Sequence, residues 1–135
     1  MLEYRRYTVA LGGAFAGATT AAGQEEALAV PSDNPVWLQE WFIDPLADGQ
    51  VDFARFRFVM PALAQGAVFE QIEADFPHLC ENVAMPLLAQ AGLSAPRVVV
   101  SLAERETEFG ASTPGLRQFF EAFRVENNLC IWEGF

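Results

Sequence analysis

Lysine is absent from this chain, and histidine, cysteine and tyrosine are scarce. All eight basic residues are arginines, set against 18 acidic residues, so the formal net charge is −10 at pH 7. Binding to a phosphate backbone or an anionic lipid surface needs clustered lysines and arginines. The charge therefore argues against nucleic-acid and lipid-surface binding, and it suits a basic partner, a cation or simple solubility.

The sequence also lacks the motifs of familiar enzymes. It has no Gly-x-Ser-x-Gly, no phosphate-binding glycine loop and no zinc-ligand spacing. The sole histidine, His78, would need an orienting partner and a nucleophile to act as a general base. Cys80 is two positions away, which places it on a different side of a helix. We therefore predict no catalytic residues, no cofactor and no metal, although an unfamiliar enzyme that uses Asp/Glu pairs remains an alternative.

Asp44, Asp48 and Asp52 recur at four-residue intervals and are candidate calcium ligands. A calcium site needs six to eight oxygens on a tight loop, and this spacing does not match an EF-hand. A solvated turn accounts for these three residues.

No apolar run is long enough to span a bilayer, and the longest one lies near the N-terminus. Arg5 and Arg6 precede an uncharged stretch, residues 7–22, which ends in small residues and is followed by an acidic segment. This order is typical of a secretory signal peptide. The stretch is shorter than the roughly 20 residues that a spanning helix needs. We predict a signal peptide over residues 1–23 that is cut after Gly23, and a periplasmic or secreted protein with no stable membrane span after cleavage.

Four alternatives to this N-terminal assignment stand: an uncleaved anchor, an ordinary buried helix, export by the twin-arginine route, and a cut after Ala29. After a cut at Gly23 the net charge is −11 and no tyrosine remains. Residues 24–35 hold two prolines, a serine, an aspartate and an asparagine, which predicts a flexible leader. Residues 36–135 then form a single α+β domain.

Cys80 and Cys130 are the only two cysteines. Two cysteines in an exported chain usually form a disulfide. Closing this loop would stabilise the fold by about 4 kcal/mol on the chain-entropy model. Two reduced thiols or a metal pair are the rival assignments, but a metal needs more ligands than His78 can supply.

The first part of the domain is predicted to form a β-hairpin. Residues 36–43 and 51–60 are rich in aromatic and β-branched residues, and an Asp-Gly turn separates them. Apolar residues alternate with Arg55 and Arg57 in the second strand, so the two arginines share a face. Glu40 is expected across from one of them.

Val51 and Phe53 are out of phase with the apolar set that begins at Ala54. This break predicts a bulge or bend near Ala54.

Helical spacing runs over residues 66–91, where apolar residues recur every three or four positions. Pro77 and Pro86 interrupt it, which predicts two helical pieces or one bent helix. We expect Asp75 to act as an N-cap and Gly92 to end the helix. Cys80 would lie on the apolar stripe.

The sequence pattern in the last part of the chain predicts further strands. A third strand is expected over residues 97–109, with its end in solvent. Residues 126–128 suit a hairpin turn. Residues 114–124 fit either a short helix or a strand, and a helical start that turns into a strand is favoured. The expected fold is α+β, a mainly antiparallel sheet of about five strands with a central bent helix packed on one face and one disulfide.

Two groups of residues are candidate contacts for a ligand or partner. Trp37 and Trp41 are expected on one face of the first strand with Gln39 between them, where aromatic rings can stack a sugar or anchor a protein. Core packing explains the two tryptophans equally well. A second group, expected on one side of the third strand, would attract a basic partner or a cation, or serve as a solvated edge: Glu104, Glu106 and Glu108.

Three segments carry a family resemblance that extends from Trp37 to Phe135. They are Arg-Phe-Arg-Phe at 55–58, Pro-His-Leu-Cys at 77–80 and Cys-Ile-Trp-Glu-Gly-Phe at 130–135. In these the chain resembles a family of small uncharacterised exported proteins of alphaproteobacteria. The resemblance implies no known activity and no site residues.

Export, acidity, small size and the missing catalytic motifs together predict an accessory or binding protein of the periplasm. It would act through protein–protein contact, as a subunit of an envelope complex or as an inhibitor of a basic envelope protein. A small-ligand or cation-binding protein is the alternative.

Overall fold

The computed structural model describes residues 6–7, 27–45 and 52–133. The described residues form one sheet whose strands lie side by side in chain order. Neighbouring strands are antiparallel except β3 and β4, which are parallel. The strands are β1 (Arg6–Tyr7), β2 (Trp37–Pro45), β3 (Asp52–Val59), β4 (Arg97–Ala103), β5 (Gln118–Glu126) and β6 (Leu129–Glu133).

The predicted α+β fold, with a mainly antiparallel sheet of about five strands, is confirmed. The additional strand, β1, is two residues long and pairs with Trp41 and Phe42 at the edge of the sheet. The rest of the predicted signal peptide lies outside the described residues, as do Asp48 and the turn after Pro45.

The crossover between the parallel strands β3 and β4 is helical. A 3₁₀ helix is followed by a bent helix of three α-helical pieces and one π-helical turn, which confirms the predicted bend. The bounds are 3₁₀ Pro61–Gln65, α1 Phe69–Ile72, α2 Asp75–Leu79, the π turn Cys80–Ala84 and α3 Met85–Gln90.

The π turn precedes a proline. Pro86 has no N–H, and in a regular helix its ring would meet the carbonyl of Asn82. The Met85 N–H bonds instead to the Cys80 carbonyl, five residues back, which widens the helix at this point. The helix then ends as predicted at Gly92, which has a φ of +69°.

One face of the sheet packs against the helices, and we call it the core face. The Cys80–Cys130 disulfide joins the π turn to β6, with an S–S distance of 2.07 Å. The expected disulfide and its placement of the helix on the sheet are therefore confirmed. The apolar side chains of this core include Phe56, Phe58, Ile72, Phe76, Leu79, Val98, Val100, Leu102 and Phe123.

The bulge lies in β2 and not near Ala54. The pairing of β2 with β3 shifts between Leu38 and Glu40, whereas β3 keeps one register through Ala54. The out-of-phase Phe53 needs no bulge, because its ring lies below the Arg55 guanidinium, 5.6 Å from its centroid.

Residues 27–36 pack against the domain, with Val30 and Val36 in the core. The buried Asp75 carboxylate accepts hydrogen bonds from the Ser32 N–H at 2.9 Å and the Ser32 hydroxyl at 2.6 Å. Asp75 is therefore not the expected N-cap: Ala74 holds that position, with no side-chain capping bond. These contacts lie within the segment that the sequence predicts to be a flexible leader.

Two predictions for the C-terminal half were wrong in extent. The third strand ends at Ala103 instead of Phe109, because the chain turns out of the sheet there. Residues 114–117 form a turn and not a helical start, since Gly115 adopts a φ of +81°. The final hairpin is confirmed, with Asn127 and Asn128 at positive φ. In the described part of the chain, no helix combines the length and apolar character needed to cross a membrane.

Candidate functional site

On the second face of the sheet, which we call the open face, no helix packs within residues 6–7, 27–45 and 52–133. Strand alternation gives this face the side chains that do not enter the core. Its central positions are Arg55 and Arg57 from β3, Val99 and Ser101 from β4, and Gln118 and Phe120 from β5.

A loop over residues 104–117 covers part of the open face. The Glu104 N–H donates to the Arg117 carbonyl, and the Arg117 N–H donates to the Glu104 carboxylate, both at 3.0 Å. These two bonds hold the ends of the loop together, as in the compact Ω-loops of roughly 6–16 residues that frequently carry function.

Polar contacts fix the loop to the sheet at Thr107. The Gln39 side-chain amide donates to the Thr107 carbonyl at 2.7 Å, and Arg57 donates to the Thr107 hydroxyl at 2.9 Å. Gln39 and Glu40 can both reach the open face because the β2 bulge lies between Leu38 and Glu40.

Phe109 is the apolar anchor of the same loop. Its ring meets the Phe42 ring edge-on at a centroid distance of 4.8 Å. The guanidinium carbons of Arg55 and Arg57 lie 5.3 Å and 5.5 Å from its centroid. Cation–π contacts at such distances contribute about 0.5–2 kcal/mol each. The loop therefore rests on a fixed aromatic and cationic support.

Both arginines are paired with carboxylates of β2. Arg57 forms an ion pair with Glu40, directly across the strands, and both side chains are largely buried. Arg55 pairs with Asp44 at 2.6 Å. The predicted opposition of Glu40 to one of the two arginines is thus confirmed. These pairs balance the positive charge of the open face.

A pocket of about 200 Å³ lies between the loop and the open face. It is smaller than the roughly 300–1,000 Å³ of pockets that bury drug-sized ligands, so it suits a small ligand. We call it the loop pocket. The residues that line it include Arg55, Arg57, Val99, Ser101, Glu108, Phe109, Leu116, Gln118 and Phe120.

Two lining side chains have hydrogen-bonding groups to offer. Ser101 is only 7% exposed, and Gln118 is half-buried. Within the described residues, neither side chain forms a hydrogen bond to another protein group. Neither is among the described buried polar atoms that lack a partner, so both groups are accessible from the loop pocket, where water or a ligand can bond to them. Phe120, 64% exposed, borders the same pocket and offers a flat apolar surface.

The structure separates the two tryptophans that were expected on one face. The β2 bulge changes the alternation, so Trp37 pairs with Val59 while Trp41 pairs with Phe56. Trp41 is 3% exposed and stacks on Phe56 in the core, with ring centroids 5.0 Å apart. The Trp37 indole nitrogen is buried and has no hydrogen-bond partner in the described part of the structure.

The three glutamates predicted along one side of a strand lie in the loop instead. Glu104 closes the loop, Glu106 is exposed, and Glu108 lines the loop pocket. They do not form an acidic row, because β4 ends at Ala103.

Sequence reasoning did not single out Arg57, Ser101, Phe109, Gln118 or Phe120 as site residues. The alternation of β3 did place Arg55 and Arg57 on one face. Phe109 follows the charged segment 104–108, and an apolar aromatic residue in that position indicates a contact with the folded domain. The meeting of β3, β4, β5 and the loop is a long-range arrangement with no local signature.

A second polar cluster lies farther along the open face. Arg97 pairs with Glu133 at 2.9 Å, and Arg124 pairs with Glu126 at 2.7 Å. The hydrogen bond and charge of Glu126, with a smaller effect of Glu133, raise the pKa of Arg124 above its ordinary value. Arg124 is charged at any physiological pH, so this cluster is a set of solvated ion pairs and not a site for proton transfer.

A metal site would need several ligating side chains close together in the described residues. Across residues 6–7, 27–45 and 52–133, no three His, Cys, Asp or Glu side chains gather as metal ligands. His78 contacts Asn82, with the ring Nδ1 3.4 Å from the amide nitrogen, and it does not line the loop pocket.

The fold and the site define a small α+β domain with a loop-covered pocket on the open face of its sheet. The sequence matches the group described as "Family of unknown function (DUF6497)" over residues 11–135, and the chain belongs to that family. No curated protein and no solved structure matches it.

Proposed function

We propose that this protein is an exported, non-catalytic binding protein that holds a small ligand in the loop pocket. The observation that carries this proposal is the pair Ser101 and Gln118, whose hydrogen-bonding groups face a preformed pocket without protein partners. A pocket with apolar walls and a few convergent polar groups is the usual form of a small-ligand site.

The support around the pocket is rigid in the way that binding sites require. The Thr107 hydrogen bonds and the Phe109 contacts hold the loop, and two ion pairs hold the strands beneath it, so little conformational entropy is lost on binding. The absence of a nucleophile–base arrangement near Ser101 favours binding over catalysis.

The exported location is part of the same proposal. Disulfides are rare in proteins of the reducing cytosol and common in the periplasm and in secreted proteins. The Cys80–Cys130 disulfide supports export, as does the N-terminal sequence pattern.

A fragment screen by protein-observed NMR on the oxidised protein tests the proposal. We expect fragments that bind to shift the amide signals of β4, β5 and residues 107–111 together. Ser101→Ala and Gln118→Leu should each weaken binding about five- to tenfold, because each removes a hydrogen bond worth roughly 1 kcal/mol or more.

The matched controls are Ser94→Ala and Gln90→Leu, which make the same changes at exposed positions outside the loop pocket. They should leave affinity unchanged. If no fragment in the screen shifts the pocket signals, the proposal of a small-ligand site is contradicted.

Protein–protein contact is the second candidate, and the exposure of Phe120 favours it. Large aromatic side chains that stand in solvent beside a pocket are frequent anchors at interfaces. Phe120→Gln should then abolish capture of a periplasmic partner, while Leu129→Gln, which changes another exposed apolar residue, should retain it.

A further inference from the structure

Within the proposed binding function, we infer that the ligand of the loop pocket is an uncharged planar molecule that carries a carboxamide or an equivalent donor–acceptor pair. The first argument is the charge balance of the pocket. Its two cations, Arg55 and Arg57, are already paired with Asp44 and Glu40.

An anionic ligand would have to compete for these arginines. The Arg57–Glu40 pair is largely buried, and removing one partner from a buried pair leaves an uncompensated charge. The lining residue Glu108 and the negative charge of the whole chain add to the repulsion of an anion.

A cationic ligand finds no strong partner either. The carboxylates of Glu40 and Asp44 are held by the arginines, and Glu108 is exposed to solvent. Exposed ion pairs contribute little because water and salt screen them.

The remaining recognition groups are neutral. The Ser101 hydroxyl donates one hydrogen bond and accepts others, and the Gln118 carboxamide both donates and accepts. A ligand carboxamide matches such a set in donors and acceptors. The flat surface of Phe120 at the rim, with Val99 and Leu116 in the wall, favours a planar ring as the body of the ligand.

Three ring compounds of nearly identical shape and different charge test this inference: benzamide, benzoate and benzamidine. Each is titrated into the oxidised, isotope-labelled protein at pH 7, and the Ser101 amide and Gln118 side-chain signals are followed by NMR. Benzamide should bind with a Kd roughly tenfold or more below that of either charged compound. Gln118→Leu should remove this preference, and the exposed variant Gln90→Leu should keep it.

Equal or tighter pocket binding of benzoate or benzamidine overturns the inference about ligand charge, yet leaves the binding function standing. Binding of other fragments to the pocket, with no response to benzamide, also overturns the inference alone. If neither the three compounds nor any fragment of the wider screen shifts the pocket signals, both the inference and the proposed function are wrong.

Discussion

At the scale of single residues, the buried pair of Arg57 and Glu40 organises the site. Arg57 bonds at once to Glu40 on β2 and to Thr107 in the loop, so one side chain ties strand pairing to loop position. Its guanidinium also lies against Phe109. Such a network is sensitive to the loss of any one member, because the others keep their polar groups out of water.

We expect Arg57→Met to lower the free energy of unfolding by about 3–5 kcal/mol, because it breaks the largely buried ion pair with Glu40 by removing one partner. The double variant Glu40→Leu with Arg57→Met should recover most of this loss, since apolar residues of similar size often replace a buried pair without cost. Urea unfolding of the oxidised protein measures both.

Arg105→Met serves as the matched control. Arg105 is exposed and lies 3.8 Å from Glu104, so its replacement should change stability by no more than about 0.5 kcal/mol. A double variant as unstable as Arg57→Met alone would contradict the assigned role of the pair.

At the scale of elements, the loop over residues 104–117 is the part that distinguishes the two faces of the sheet. The helices cover the core face through an apolar stripe. The loop covers the open face through Thr107 and Phe109, and its ends are joined by one backbone hydrogen bond and one bond to the Glu104 carboxylate. A segment with few buried apolar contacts opens more readily than the core. We therefore expect the loop to open more readily than the helices on the core face.

Phe109→Ala should free the tip of the loop, because it removes the ring that contacts Phe42 and both arginines of β3. Hydrogen exchange of the Ala111 and Leu116 amides, which donate to the Glu108 and Thr113 carbonyls within the loop, should accelerate at least about tenfold, a change of roughly 1.4 kcal/mol in local opening. The amides of Val98 and Val100, in the central strand β4, should keep their protection.

Leu129→Ala provides the comparison, since Leu129 is also a large apolar residue but lies exposed at the β5–β6 hairpin. It should leave exchange in the loop unchanged. The role given to Phe109 is wrong if the loop amides exchange equally fast in both variants, or if the whole domain loses protection.

At the scale of the whole molecule, one covalent bond and one parallel pairing hold the layers together. The disulfide joins the helical layer to the last strand across 50 residues of chain. The parallel pairing of β3 with β4 requires the crossover that places the helices on the core face. Both features leave the opposite face open for the loop and its pocket.

Expression in a bacterium with an intact export system should yield a periplasmic protein that begins at Gln24 and weighs two hydrogens less than its reduced form. Cleavage after Gly23 accounts for the first feature and the Cys80–Cys130 disulfide for the second. Intact mass spectrometry before and after reduction measures both. Recovery of the uncleaved chain in the membrane fraction would contradict the predicted cleavage.

Local patterns in the sequence were sufficient for several parts of the structure. The alternation around Arg55 and Arg57 predicted a strand, the apolar spacing over residues 66–91 predicted a bent helix, and the Asn-Asn step at 127–128 predicted a hairpin. Two cysteines predicted the disulfide. Each of these depends on residues that are neighbours in the chain, or on residues so few that only one pairing exists.

Only the tertiary structure decided the site. The β2 bulge between Leu38 and Glu40 separates Trp37 from Trp41, and the sequence alternation placed a bulge elsewhere. The contacts of Gln39 and Arg57 with Thr107 span 68 and 50 residues. Buried polar groups form hydrogen bonds with whichever partners the folded sheet brings close to them. Distance along the chain does not determine which residues these are.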